Sequence, residues 1–152
     1  MALSIIIGGL VTSLIFNLVV FASYKISPES WLSDLTQGKI QSPKNWKTYS
    51  CVVAIVATII GGAAITAWWT ASVYGASLYV QFTAAWLVNL ILNVYDVLVI
   101  DILIYQVIYP SWMRFEGIEP LHNPWVHIKE GLFGLVLAVP LAAIATCLTL
   151  FV

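Results

Sequence analysis

Two aspartates lie inside a long apolar segment of this chain. Asp96 and Asp101 fall within the stretch NVYDVLVIDILIYQ, residues 93–106. An ionised carboxylate in apolar surroundings is costly, so each must be protonated, paired or reached by water. A carboxyl group held in this way can carry a proton, bind a cation or act as a general acid or base. Both aspartates are therefore candidate functional residues.

Two asparagines precede the first aspartate at helical spacing. At about 100° per residue, Asn89, Asn93 and Asp96 fall within an arc of about 60°. Asp101 lies about 80° from Asn93 around the helix and flanks this polar stripe. Asn17, in the first apolar segment, should lie at a similar depth. The amide groups are candidate neutral ligands beside the carboxylates.

A polar segment, RFEGIEPLHNPWVHIKEG at residues 114–131, follows the aspartates. Because it leaves the third apolar segment and enters the fourth, we expect it to cover the end of the bundle next to the aspartates. The catalytic candidates of the whole chain are Asp96, Asp101, His127 and Glu119. The ligand-binding candidates are Asn17, Asn89, Asn93, His122, Arg114 and Lys129. Carboxylates and imidazoles together suit a divalent cation, but their spacing matches no standard metal motif, and neither a metal nor a cofactor follows from the sequence.

The composition is that of a membrane protein. Of the 152 residues, 61% are hydrophobic and 9% are charged, against about 25% charged in a typical soluble domain. Four apolar segments exceed the length of about 20 residues that a helix needs to cross a bilayer. Backbone groups in lipid must be satisfied within the segment, so helices are predicted. The sequence predicts one all-α domain, a four-transmembrane-helix bundle over residues 1–152, with helices at about 2–24, 50–74, 79–109 and 130–152.

The basic residues predict the orientation of the chain. All six lie in the first and third loops: Lys25, Lys39, Lys44, Lys47, Arg114 and Lys129. The positive-inside rule places these two long loops in the cytoplasm and both termini outside, for a protein of the plasma or inner membrane. The lipid bilayer is then the first partner. The net charge of −1 gives no indication of nucleic-acid binding.

The first loop contains a candidate interfacial helix in the stretch SPESWLSDL, residues 27–35. Ser27 suits the N-cap and Pro28 the first helical position. Trp31, Leu32 and Leu35 fall on one face at helical spacing. We expect a short helix that lies on the membrane surface on this apolar face.

Small residues recur along the second and fourth segments. The second carries such residues at every fourth position: Ala54, Thr58, Gly62, Thr66 and Thr70. The fourth carries them at steps of three and four: Gly131, Gly134, Ala138, Ala142, Ala145 and Thr149. Small side chains let helix backbones approach closely. Each stripe could pack within the chain or against a second copy, so the small-residue faces also allow a homo-oligomer.

The second half of the chain resembles a family of membrane proteins. It carries N-x-x-D-x-x-x-x-D at residues 93–101, G-x-E at 117–119 and H-x-K-x-G at 127–131. This pattern resembles a group of small, uncharacterised bacterial membrane proteins with four predicted spans and a similar cytoplasmic loop. The first loop is similar only loosely. The resemblance implies no activity, but it does imply that four residues work as one set: Asp96, Asp101, Glu119 and His127.

Three interpretations of function remain open. In the first, a small transporter or ligand-binding protein holds a proton, a cation or a small ligand in a cytoplasm-facing polar pocket. In the second, a membrane-embedded enzyme uses Asp, His and Glu in acid–base or metal chemistry on a lipidic substrate. In the third, the chain is an accessory subunit of a larger membrane complex. We expect Asp96, which lies deeper than Asp101, to be the indispensable group.

Overall fold

The fold is an all-helical bundle with four helices long and apolar enough to cross a membrane. The computed structural model describes residues 1–36, 39–114 and 123–151. Within them the elements are α1 (Ala2–Ile26), a short 3₁₀ turn (Pro28–Trp31), α2 (Leu32–Leu35), α3 (Trp46–Tyr74), α4 (Leu78–Tyr95), a π-helical segment (Asp96–Ile108), a second 3₁₀ turn (Ser111–Met113) and α5 (Pro124–Thr149). The π segment continues α4 and completes the third span. The prediction of an all-α membrane protein with a four-helix bundle is confirmed.

Two spans begin earlier than predicted, because capping asparagines start them inside the polar loops. The second span begins at Trp46 rather than 50, and the side chain of Asn45 accepts a hydrogen bond from the backbone N–H of Thr48 at 2.9 Å. The fourth begins at Pro124 rather than 130, capped by Asn123. The first span runs to Ile26, two residues past the predicted 24. Charged residues near these ends therefore belong to helices, although hydropathy alone assigns them to loops.

Of the remaining predicted ends, the start of the first span at Ala2 and the end of the second at Tyr74 match the structure, and the other three differ by one to three residues. The third span covers Leu78–Ile108 against the predicted 79–109. It stops because Tyr109 adopts a left-handed backbone conformation, with φ of 37°. The fourth helix ends at Thr149 rather than 152.

The predicted short helix after the first span is present as the 3₁₀ turn and α2. The predicted side-chain cap is not formed, since the Ser27 hydroxyl donates to the carboxylate of Glu29 at 3.1 Å. Hydrogen bonds from the backbone and from Ser27 hold the pKa of Glu29 below its usual value. The Trp31 ring stacks on Tyr24 of α1, with ring centroids 5.9 Å apart. The Ser30 hydroxyl lies 2.9 Å from that of Thr48, which ties the turn to α3.

Glycines bring α1 and α3 into close contact. A Cβ atom at Gly8 would overlap the side chain of Thr66, and one at Gly62 would overlap the side chain of Thr12. The two pairs are reciprocal, with glycine and threonine exchanged between the helices. On α5 the small-residue stripe also faces the bundle, where Gly131, Ala138, Ala142, Ala145 and Thr149 are buried.

The two ends of the bundle are packed differently. Because the four spans alternate in direction, Ala2 and Thr149 lie at one face of the bundle. Ile26, Trp46, Ile108 and Pro124 lie at the other face, here called the basic face because the described basic residues stand at or near these span ends. In the half away from the basic face, a cluster of fully buried alanines fills the interior: Ala63, Ala67, Ala84, Ala85, Ala142 and Ala145. The half next to the basic face is packed by larger side chains, among them Phe16, Tyr24, Tyr105 and Met113.

Candidate functional site

A cavity of about 320 Å³ lies in the half of the bundle next to the basic face. It is bounded by α1, the first 3₁₀ turn, α3, the end of α4, the π segment and the first half of α5. Its polar lining residues are Asn93, Asp96, Asp101, His127 and Glu130, and its aromatic ones are Phe16, Trp31 and Tyr105. This volume is at the lower end of the range for small-molecule sites. We call it the main cavity.

The π-helical segment explains why both aspartates line the same cavity. In an α-helix, residues five apart point about 140° away from each other. A π-helix forms its hydrogen bonds from residue i to i+5, so residues five apart lie nearly above one another. The N–H of Tyr109 donates to the carbonyl of Ile104 in this pattern, at 2.8 Å. Asp101 therefore does not merely flank the polar stripe, as the 3.6-residue period predicted, but joins Asp96 in the main cavity.

His127 connects α5 to the π segment. Its Nδ1 lies 3.3 Å from Oε2 of Glu130 and 3.7 Å from Oδ2 of Asp101. The second distance is within ion-pair range but longer than a normal hydrogen bond. The imidazole is 9% exposed, against 66% for the Glu130 side chain. Of the residues predicted to form one set, His127, Asp101 and Asp96 share the main cavity.

Two glycines of α5 give the main cavity its shape. A Cβ at Gly134 would overlap the amide nitrogen of Asn93, and one at Gly131 would overlap a methyl group of Val97. Both glycines also line the cavity. The fourth span therefore contacts the polar stripe directly, and its lack of side chains here leaves the cavity open.

The deeper asparagines have different surroundings. Asn17 donates from its amide to the hydroxyl of Tyr95 and does not line the main cavity. Asn89 is 4% exposed. Neither its amide nitrogen nor its amide oxygen has a hydrogen-bond partner among the residues that the structure describes. Asn89 lines a second, smaller cavity together with Asn93 and Asp96.

The predicted basic ligands lie away from the cavity. Arg114 and Lys129 are exposed and do not line it. Arg114 donates to the carbonyl of Tyr109 at 3.5 Å, and its guanidinium carbon lies 5.8 Å from the centroid of that ring. Glu119 and His122 lie outside the described residues. Within the described ranges, the lining of the main cavity is therefore acidic, with three carboxylates, one histidine and no lysine or arginine.

The sequence pattern assigns no role in the site to three residues that line the cavity. Glu130 stands three residues after His127, a spacing that puts both on one helix face, but the pattern predicts that the helix begins only at 130. Trp31 is predicted on the apolar face of the short surface helix, and Tyr105 follows the aspartates without an assigned role in the site. The structure turns both towards the cavity. The asparagine cap before Pro124 is the signal that could have found the His127–Glu130 pair.

The described part of the chain contains no group of three or more His, Cys, Asp or Glu residues placed to hold a metal ion. Comparison with known proteins finds no match to a family model, a curated protein or a solved structure. Because one fold class serves many functions, function has to be inferred from the chemistry of the cavity.

Proposed function

We propose that this integral membrane protein binds a small cation in the main cavity and exchanges it for protons. The observation that supports this most directly is the charge of the lining. Asp96, Asp101 and Glu130 contribute three carboxylates beside a single histidine, with no lysine or arginine among the described lining residues. Carboxylates in a partly desolvated site favour either a proton or a cation. The two occupants therefore compete for the same groups.

The packing of the bundle favours access from one side. The alanine cluster fills the half beyond Asn89, while the main cavity lies next to the basic face. A transporter of this kind would release its cation to the other side only after these helices separate, which is the behaviour expected of alternating access. The conformation described here is then the one that faces the basic loops.

The same cavity also suits acid–base catalysis, which is the second candidate function. The observation that favours it is the position of His127 between Asp101 and Glu130. A carboxylate that orients an imidazole is a common arrangement for proton transfer. An enzyme of this kind would act on a lipidic substrate entering from the bilayer. Turnover of such a substrate by the purified protein, abolished in His127→Gln, would support it over cation exchange.

The basic face is proposed to be cytoplasmic. All six basic residues belong to the connections at this face or to the helix ends that flank them, and the positive-inside rule assigns such loops to the cytoplasm. The C-terminus is then outside the cytoplasm. We therefore expect activity from a fused C-terminal reporter of the kind that works only outside the cytoplasm. Activity of a cytoplasm-only reporter at this position would reverse the orientation.

Binding of methylammonium and of sodium to the purified protein in lipid nanodiscs tests the proposal. We expect binding at neutral pH that weakens as the pH falls, because protons then occupy the carboxylates. Asp96→Asn keeps the shape and hydrogen-bonding capacity of the side chain but removes one charge, and should weaken binding at least tenfold. Glu29→Gln is the matched control, since Glu29 is a carboxylate outside the cavity. Equal affinity in wild type and Asp96→Asn would contradict the role proposed for Asp96.

A further inference from the structure

A second cavity of about 150 Å³ adjoins the main one. The two share four lining residues: Phe16, Asn93, Asp96 and Gly134. Beyond these, its lining is apolar except at one position. The apolar residues are Ile59, Leu92, Leu137, Ala138 and Leu141, and the polar one is Asn89. We call this the inner cavity.

Asn89 is the buried polar side chain of the inner cavity that lacks a partner among the described residues. Its side chain is more than nine-tenths buried, and both amide atoms lack a hydrogen-bond partner among the described residues. A buried amide left without partners is costly, so such groups are normally satisfied by protein, by ordered water or by a ligand. Because Asn89 lies one helical turn from Asn93, the inner cavity extends roughly 6 Å beyond the polar groups of the main cavity.

We propose that the two cavities form one site for an amphiphilic organic ammonium ion. The inference rests on the proposed function, because it takes the main cavity as the place of the charged group. The ammonium lies among the carboxylates, a short apolar chain fills the inner cavity, and a hydroxyl or similar group at the end of the chain bonds to Asn89. A depth of roughly 6 Å fits a chain of about five carbon atoms.

The lining of the main cavity suits an organic ammonium better than a bare metal ion. Phe16, Trp31 and Tyr105 present aromatic rings there, and aromatic faces attract alkylammonium groups. The indole N–H of Trp31 is buried without a hydrogen-bond partner in the described part of the chain, and in the proposed site it turns to donate to a polar atom of the ligand.

A series of straight-chain alkylammonium ions, from methyl to octyl, tests the apolar part of the site. Affinity is measured by calorimetry on the protein in nanodiscs, with empty nanodiscs as the blank. We expect affinity to rise about fourfold per added methylene group, up to about five carbons, and then to level off. In Leu141→Phe, where the larger ring fills part of the inner cavity, the rise should stop two or more carbons earlier.

The polar end is tested by 5-aminopentan-1-ol against pentylammonium. We expect Asn89→Leu to weaken binding of the amino alcohol about tenfold, because its hydroxyl loses a buried partner, and to leave pentylammonium bound at least as tightly. Equal effects on both ligands would show that Asn89 meets only water, and would overturn this part of the inference.

The outcomes separate this inference from the proposed function. Methylammonium binding without any gain from longer chains overturns the inference and leaves the cation site intact. An equal gain in wild type and in Leu141→Phe indicates partition into lipid, and also overturns it. If no ammonium ion of the series and no sodium binds, the proposed function itself fails.

Discussion

A close contact between α1 and α3 predicts a large difference between two glycine-to-alanine substitutions. A Cβ at Gly8 would overlap the hydroxyl and methyl of Thr66 and lie 2.9 Å from its Cβ. Threonine is β-branched and stiff at χ1, and its Cβ does not move when χ1 rotates. Gly8→Ala must therefore push α1 away from α3. At Gly61, also in a helix, a Cβ would meet nothing within 4 Å, so Gly61→Ala is the matched control.

The size of the effect follows from two opposing contributions. Alanine in place of glycine favours a helix by about 1 kcal/mol, and this gain applies to both variants. Overpacking costs about 1–3 kcal/mol, and only Gly8→Ala incurs it. The free energy of unfolding of Gly8→Ala should therefore be about 1–3 kcal/mol below that of Gly61→Ala.

Unfolding in mixed micelles of mild detergent and sodium dodecyl sulfate, followed by circular dichroism, gives these free energies. A second substitution, Thr66→Ala, removes the overlapping hydroxyl and methyl groups. Combined with Gly8→Ala, it should restore part of the lost stability, with a coupling energy of about 1 kcal/mol or more. Equal stability of Gly8→Ala and Gly61→Ala, or no coupling with Thr66→Ala, would refute the close packing of α1 on α3.

Three further predictions concern the site and the basic face. Gly134→Ala should displace the amide of Asn93 and weaken cation binding. The free energy of unfolding of this variant should change by no more than about 1 kcal/mol, because the flexible amide can rotate away. Binding and unfolding are measured on the same sample. His127→Gln should change the pH dependence of cation binding, whereas a histidine without influence on Asp101 would leave the pH profile unchanged. Because the pKa of Glu29 is lowered in the folded state, its contribution to stability is present at neutral pH and is lost as the pH falls through its folded pKa. Wild type and Glu29→Gln should therefore differ in stability at pH 7 and converge in acid, and a constant difference at every pH would contradict this.

The bundle could be predicted from the sequence because hydropathy and helical spacing determine it. Four apolar segments of sufficient length leave helices as the only way to satisfy the backbone in lipid. The stripe of Asn89, Asn93 and Asp96 is also predicted by spacing, and the structure places these residues along two adjoining cavities. These residues follow the ordinary 3.6-residue period, so their shared helix face could be predicted, while their roles stay predictions.

The rest of the site depends on structural features that the 3.6-residue spacing of an α-helix does not predict. The π segment brings Asp101 onto the face of Asp96, and no spacing rule for an α-helix predicts it. His127 and Glu130 stand in the first turns of α5, where charged residues look like a loop. The apolar neighbours of Trp31 predict a place on the membrane surface, and they do not predict that its ring stacks on Tyr24 and lines the main cavity. In each case, tertiary packing determines the position of the side chain.

The number of protons released per bound cation tests the central proposal most directly. Calorimetric titration of methylammonium into the protein at neutral pH, in buffers of different ionisation enthalpy, gives this number. Competition of protons and cations for the carboxylates predicts a measurable release, up to about one proton per cation, which is reduced or lost in Asp96→Asn and kept in Glu29→Gln. Two results together would contradict cation–proton exchange in this cavity. They are binding with no proton release in wild type and an affinity that does not change between about pH 5 and pH 8, the range in which folded proteins are usually most stable.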